Sequence, residues 1–320
     1  MKKYIFSLAL LTAVVAGCTK SNQDDKPEIV ELSLSSVDIA PYKLKSVVPG
    51  SYFPDNVAAS IGMFVTAADG ITPYDGKTDG YSNVLYAKNA KDAAWFSAEP
   101  IILSKTTGLA FGYYPYNNSV KDITSIPVKS SLDGDDYLYG ASEGAVSAEA
   151  PWVNMEMKHA LARLTVVFRK EAGYVGQGIL QSMTLSSPVL APEGILNAMD
   201  GGISAKNGAI SFKEIYKPFN LEGRLDAECL IIPTLAEPAM QTVSFRFIFD
   251  GKEYTSDVSG IVIGQGMHAT VLMTVNTDGV VLNGVSISDW DEAGGTTASG
   301  NMRPTDVYST EGLDGKQGNL

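Results

Sequence analysis

The chain has 320 residues, 45% of them apolar and 19% charged, which is the balance of a folded protein and not of a disordered one. Its formal net charge of −12 has the wrong sign for a nucleic-acid binder. With only two cysteines, stability must come from a buried core, and the length allows one to three domains.

The first stretch is Lys2 and Lys3, an uncharged apolar run over residues 4–16, then Gly17 and Cys18. A basic head, a short apolar centre and small residues at the end make a secretory signal peptide over residues 1–17, and the run is short for a membrane-spanning helix. Val15-Ala16-Gly17-Cys18 resembles a bacterial lipobox. That resemblance implies lipidation of Cys18, which becomes the first residue and attaches the protein to the outer membrane. Losing Lys2 and Lys3 takes the net charge from −12 to −14. Cys229 is then the one free thiol, so no intrachain disulfide is expected. Residues 18–28 are polar, with Asp24, Asp25 and Pro27, and read as a lipidated tether.

Strand patterns follow. Val30, Leu32 and Leu34 alternate with Glu31, Ser33 and Ser35, the period of a half-buried strand over residues 29–35. An apolar run spans 58–65, Asp75-Gly76 and Asp79-Gly80 mark turns, and an apolar-aromatic run covers 109–116. In the second half, Ala162, Leu164, Val166 and Phe168 alternate with polar neighbours, as do Val243, Phe245, Phe247 and Phe249. Asp250-Gly251 predicts a hairpin turn. Ala269, Val271, Met273 and Val275 continue the style, and Val285 and Ile287 lead to Trp290. No long helical period appears. The pattern predicts an all-β chain of two tandem β-sandwich domains, residues 29–157 and 158–290, with a polar tail at 291–320.

The chemistry is sparse. His159 and His268, the only histidines, each sit at the start of a patterned strand and read as structural. Nucleophile elbow, paired-His metal signature and Walker loop are absent from the sequence. Asp133, Asp135 and Asp136 lack the glutamate that a calcium loop would need, since position 144 is Gly144. Carboxylates are plentiful, but no pair stands out. The expectation is a non-enzyme with no cofactor, no metal and no nucleic-acid partner.

Several landmarks occur in order: the lipobox, Leu109-Ala110-Phe111-Gly112-Tyr113-Tyr114-Pro115-Tyr116, then Asp136-Tyr137-Leu138-Tyr139, then 157–164, then 266–290 closing on Ile287-Ser288-Asp289-Trp290. With them the chain resembles the fimbrillin family, subunits of type V pili. The resemblance implies two transthyretin-like β-sandwich domains, export as a lipoprotein, and assembly with other subunits into surface filaments for adhesion or biofilm formation. It also implies that a protease removes the first strand and a neighbour's strand fills the groove by β-augmentation. The displaced strand would carry Val30, Leu32 and Leu34, and the donor would be residues 280–287 with Val281, Val285 and Ile287. In the best-known members the cut follows an arginine. This chain has none before Arg163, so Lys43 and Lys45 are the candidate processing residues. The alternative is a non-polymerising surface lipoprotein that binds a glycan or a host or bacterial receptor. Tyr113, Tyr114, Tyr116 and Trp152 would then gather in one cleft.

Overall fold

A computed structural model describes residues 29–39, 51–52, 58–88 and 94–290. Cys18, Lys43, Lys45, the signal peptide, the tether over 18–28 and the tail 291–320 lie outside the described residues. In chain order the strands are β1 (Val30–Glu31), β2 (Ser33–Ile39), β3 (Ser51–Tyr52), β4 (Ala59–Ala67), β5 (Val84–Lys88), β6 (Ile102–Leu103), β7 (Gly108–Tyr114), β8 (Ile126–Lys129), β9 (Ser131–Leu132), β10 (Leu138–Ser142) and β11 (Trp152–His159). They continue with β12 (Ala162–Lys170), β13 (Ile179–Ser186), β14 (Leu190–Ala191), β15 (Glu193–Leu196), β16 (Ile203–Ala205), β17 (Ile210–Pro218), β18 (Arg224–Pro233), β19 (Ala239–Phe249), β20 (Lys252–Ile263), β21 (Met267–Val275) and β22 (Val280–Asp289). Among the described residues there is no α-helix, and a single 3-10 turn sits at Tyr74–Gly76. The chain is all-β.

The first half forms a seven-stranded sheet in the order β3-β2-β11-β10-β7-β4-β5, with a small β1-β6 pair beside it. Alternation decides which side chains go in. Val153, Met155 and Met157 of β11 are buried while Trp152, Asn154 and Glu156 face out, as the two-residue period of a strand requires. Together with Leu32, Leu34, Val37, Ile61, Met63 and Tyr86 they make one core cluster.

In the second half a sheet in the order β14-β18-β12-β21-β22 packs on a four-stranded sheet in the order β17-β13-β19-β20. Phe168 of β12 meets Phe247 and Phe249 of β19 edge-on, with ring centroids 4.9 and 5.1 Å apart, the favourable geometry for aromatic pairs. The Asp250-Gly251 turn joins β19 to β20 with φ of 48° and 80°, as a tight hairpin demands.

The two halves are also laced together. β8 pairs with β15, and β9 pairs with β18. A third core cluster draws Phe64, Phe111 and Tyr113 from one side of residue 157 and Leu161, Leu196 and Ile232 from the other.

Of the strands whose register shifts, two bear on the site. The first segment continues past Ser35 to Ile39, and Ser35 is an extra residue between Leu34, opposite Val153, and Ser36, opposite Asn154. In β22 the extra residue is Asn283, between Leu282, opposite Met273, and Gly284, opposite Leu272. Each is a β-bulge, which switches the inward face from one parity to the other.

Candidate functional site

The first segment fills a slot built by three neighbours. β1 runs antiparallel to β6, and β2 runs parallel to β11. Leu32 N–H donates to the Ile101 carbonyl at 2.8 Å, and Ser33 N–H donates to Pro151 at 2.9 Å. On the outer edge of β2, β3 pairs only with Asp38 and Ile39, so among the described residues Ser33 to Val37 have no strand on that side. Leu32, Leu34 and Val37 are buried, Val30 and Ile39 half-buried. The segment is a peripheral strand with a core face, which gives it both a reason to stay and an edge from which to leave.

The floor of the slot is polar at one point. The buried Tyr86 hydroxyl donates to the Leu32 carbonyl at 3.0 Å and accepts from Ile101 N–H at 3.3 Å. Burial pushes its pKa above the usual tyrosine value, so the hydroxyl remains a donor. Outside, Ser36 Oγ donates to Asn154 Oδ1 at 3.2 Å. Asp38 stands opposite Glu156 of β11. Its carboxyl is raised above the usual carboxylate range, first by partial burial and then by Glu143 and Glu156, with Ser36 opposing. Its Oδ1 is buried without a hydrogen-bond partner. This misfit within the segment was invisible in the sequence, because Glu143 and Glu156 are distant along the chain.

The last strand is the other sequence-predicted part. Among the described residues β22 is the edge of its sheet, paired only with β21. Val285 is buried, and Ile287 is half-buried against the second-half core with Val280 and Leu282. Val281 faces out and is 50% exposed, because the bulge at Asn283 reverses the parity. After β22, Trp290 stacks on His159 at 4.2 Å between centroids, and its N–H donates to Gly266 at 3.1 Å. The Asp136 carboxylate accepts from His159 Nδ1 at 2.5 Å. The structure therefore does not bring the displaced-strand residues Val30, Leu32 and Leu34 together with Val281, Val285 and Ile287. They lie in different sheets.

Other candidates resolve into structural roles. Tyr113 is fully buried, its hydroxyl 2.7 Å from Asn83 Oδ1 and 2.9 Å from the Asn117 carbonyl, and burial pushes its pKa up to about 12. Trp152 is 70% exposed but begins β11, whereas Tyr114 pairs with Leu138, which pairs with the His159 end of that strand. These aromatics share no cleft. His268 is buried, with Nε2 2.9 Å from Thr165 Oγ1. Burial and then Arg163 pull its pKa down to about 4. Cys229 is buried, and burial raises its thiol pKa. A cleft of about 270 Å³ is lined by Lys217, Asn220, Arg224 and Asp226, but Arg224 is already clamped by Asp226 at 2.7 and 2.8 Å. Among the described residues no cluster could hold a metal ion.

Comparison with known proteins agrees with this architecture. A family model described as fimbrillin-like matches residues 54–290. No curated protein matches the chain. Crystal structures of two candidate cell adhesion proteins are similar in fold. The one from Bacteroides ovatus is 17% identical with a TM-score of 0.58, covering 82% of this chain and 98% of its own. The one from Bacteroides uniformis is 20% identical with a TM-score of 0.56, covering 82% and 99%.

Proposed function

The chain belongs to the fimbrillin-like family, and on that premise we propose that it is a surface pilus subunit, exported as a lipoprotein and assembled by strand exchange. In this reading residues 1–17 are removed and Cys18 carries the lipid that attaches the precursor to the outer membrane. The body is two tandem sandwiches meeting near residue 157. A cut at Lys43 or Lys45 frees the first segment, and a strand from a neighbouring subunit takes its slot. The filament serves adhesion, with other pilus subunits as partners and a host or bacterial surface as its target.

One observation carries the reading. The first segment buries Leu32, Leu34 and Val37 in the core, yet it lies near the sheet margin, and among the described residues β11 is the one strand that flanks residues 33–37. Losing it opens an apolar groove with an unpaired backbone edge, which is the receptor that β-augmentation needs.

Electron microscopy of cells making the Lys43→Ala, Lys45→Ala double variant tests this. The expected result is full-length precursor and bare cells. Normal filaments built from the double variant would overturn processing at these residues.

A further inference from the structure

The two sheets of the second half part at one margin. β17 is the outer strand of its sheet, and the chain crosses from it to β18 of the facing sheet through residues 219–223. The cleft of about 270 Å³ lies at this crossing, lined by Lys217, Pro218, Asn220, Arg224, Leu225 and Asp226. Its charges cancel. Arg224 is held by Asp226, and Lys217 is paired with Asp133. An anion would meet the Asp226 carboxylate and a cation the Arg224 guanidinium, so the cleft suits a neutral ligand.

The clamp leaves bonding capacity on both partners. It uses two N–H groups of Arg224 and one lone pair on each Asp226 oxygen, and the remaining donors and acceptors face other directions. Asn220 Oδ1 accepts from Glu222 N–H at 3.0 Å and from Arg224 N–H at 2.8 Å, which fixes the side-chain amide and keeps its NH2 group as a donor. Asn220 N–H donates to the Arg224 carbonyl at 2.8 Å, and Gly223 N–H to the Asn220 carbonyl at 2.9 Å. The turn is therefore ordered before anything binds, and little freedom is lost on binding. Donors and acceptors stand side by side on fixed planar groups, with Pro218 and Leu225 as apolar wall. A hydroxyl is donor and acceptor at once, so a ring with several neighbouring hydroxyls on a C–H surface matches this mixture.

Beside the cleft the backbone is strained. Ser182 stands opposite Lys213 and Leu180 opposite Lys217, so Glu214, Ile215 and Tyr216 bulge against Gln181 alone. Glu214 and Tyr216 have φ of 57° and 51°, a left-handed conformation that is costly for a bulky side chain. Bulges and strained residues recur next to functional sites, where they re-aim a side chain. Here the residue is Tyr216, 64% exposed and directly before Lys217. Its ring offers an apolar face with a polar tip, the complement of the C–H face of a sugar.

We propose that this margin is a glycan-binding site for one terminal, uncharged sugar ring, with Arg224, Asp226 and Asn220 bonding its hydroxyls and Tyr216 stacking on it from the rim. The cleft volume is just under the roughly 300–1,000 Å³ of small-molecule pockets, which suits one ring and not a chain. The inference rests on the adhesion part of the proposed function and names its ligand class. It does not depend on strand exchange. β17 and β18 stand toward the margin opposite β20 and β22, and the first segment belongs to another sheet.

The test presents the labelled full chain to an array of neutral, sialylated and sulfated glycans, with free methyl glycosides of neutral hexoses as competitors. Binding to neutral glycans is expected, competed by at least one methyl glycoside. Asp226→Ala should weaken it roughly tenfold or more, as loss of a charged acceptor does, and Tyr216→Ala about three- to tenfold. Urea midpoints show whether each variant is folded. If Asp226→Ala unfolds early, Arg224→Lys, which keeps the charge but loses the planar fork, takes its place and should also weaken binding. Trp152→Ala, in the first half, should bind as the parent does. Parent-like binding by the folded cleft variants and by Tyr216→Ala would overturn this site. A preference for sialylated or sulfated glycans would overturn the neutral-ligand argument. If the folded chain binds no glycan, the proposal fails, and attachment of filament-bearing cells to a host or bacterial surface then decides separately whether the adhesion reading stands.

Discussion

Leu34→Ala probes whether the first segment is a separable unit. Leu34 is 4% exposed and packs in the first-half core. Truncating a buried leucine to alanine costs roughly 2–5 kcal/mol. The loss should be felt locally, because β2 is joined to its sheet through β11 and two residues of β3, and the second-half core contains none of its side chains. Native-state hydrogen exchange reads this directly. Opening of the segment should become easier by the same free energy, so amides of β2 and of the β11 edge facing it should exchange roughly 30- to 5,000-fold faster. Amides of β19 should stay within about twofold of the parent chain, as a core outside the opening unit does. Equal acceleration in β2 and β19 would refute the reasoning, since the segment would then open only with the whole molecule. Unchanged protection in β2 would refute it too.

Further outcomes follow from named contacts. Tyr86→Phe removes the hydroxyl shared by the Leu32 carbonyl and Ile101 N–H; it should cost about 1–3 kcal/mol in urea unfolding, and no loss would mean that the hydroxyl is not holding the segment. His268 has a folded pKa of about 4 against 6.5, so between those values the unfolded chain binds a proton that the folded chain refuses. Stability should therefore fall as pH drops below 6.5, by up to roughly 3 kcal/mol at pH 4, and a His268→Gln variant should lack that part of the slope. Cys18→Ala should release the protein from membrane fractions, and continued membrane association would remove the lipid-anchor assignment.

Much of the architecture could be read from residue type and period. Alternation at 162–168, 243–249 and 269–275 falls on β12, β19 and β21, and Asp250-Gly251 forms the expected hairpin. Bulges hid the rest. Ser35 breaks the period, so Val37 and Ile39 looked unrelated to Leu32 and Leu34, and Asn283 put Val281 outside and Leu282 inside. Periodicity also carries no long-range pairing, which is why β8 on β15 and the carboxylates around Asp38 needed coordinates. Tyr113 reads as one aromatic of an exposed-looking run, but Gly62 leaves room for its ring: a Cβ there would lie 2.2 Å from Tyr113 Cε1.

The most direct measurement is the N-terminal sequence of subunits in filaments sheared from the cell surface. Chains beginning after Lys43 or Lys45 are predicted, with residues 29–39 gone from assembled material. Assembled subunits that begin at Cys18 and keep Leu32, Leu34 and Val37 in place would contradict the account.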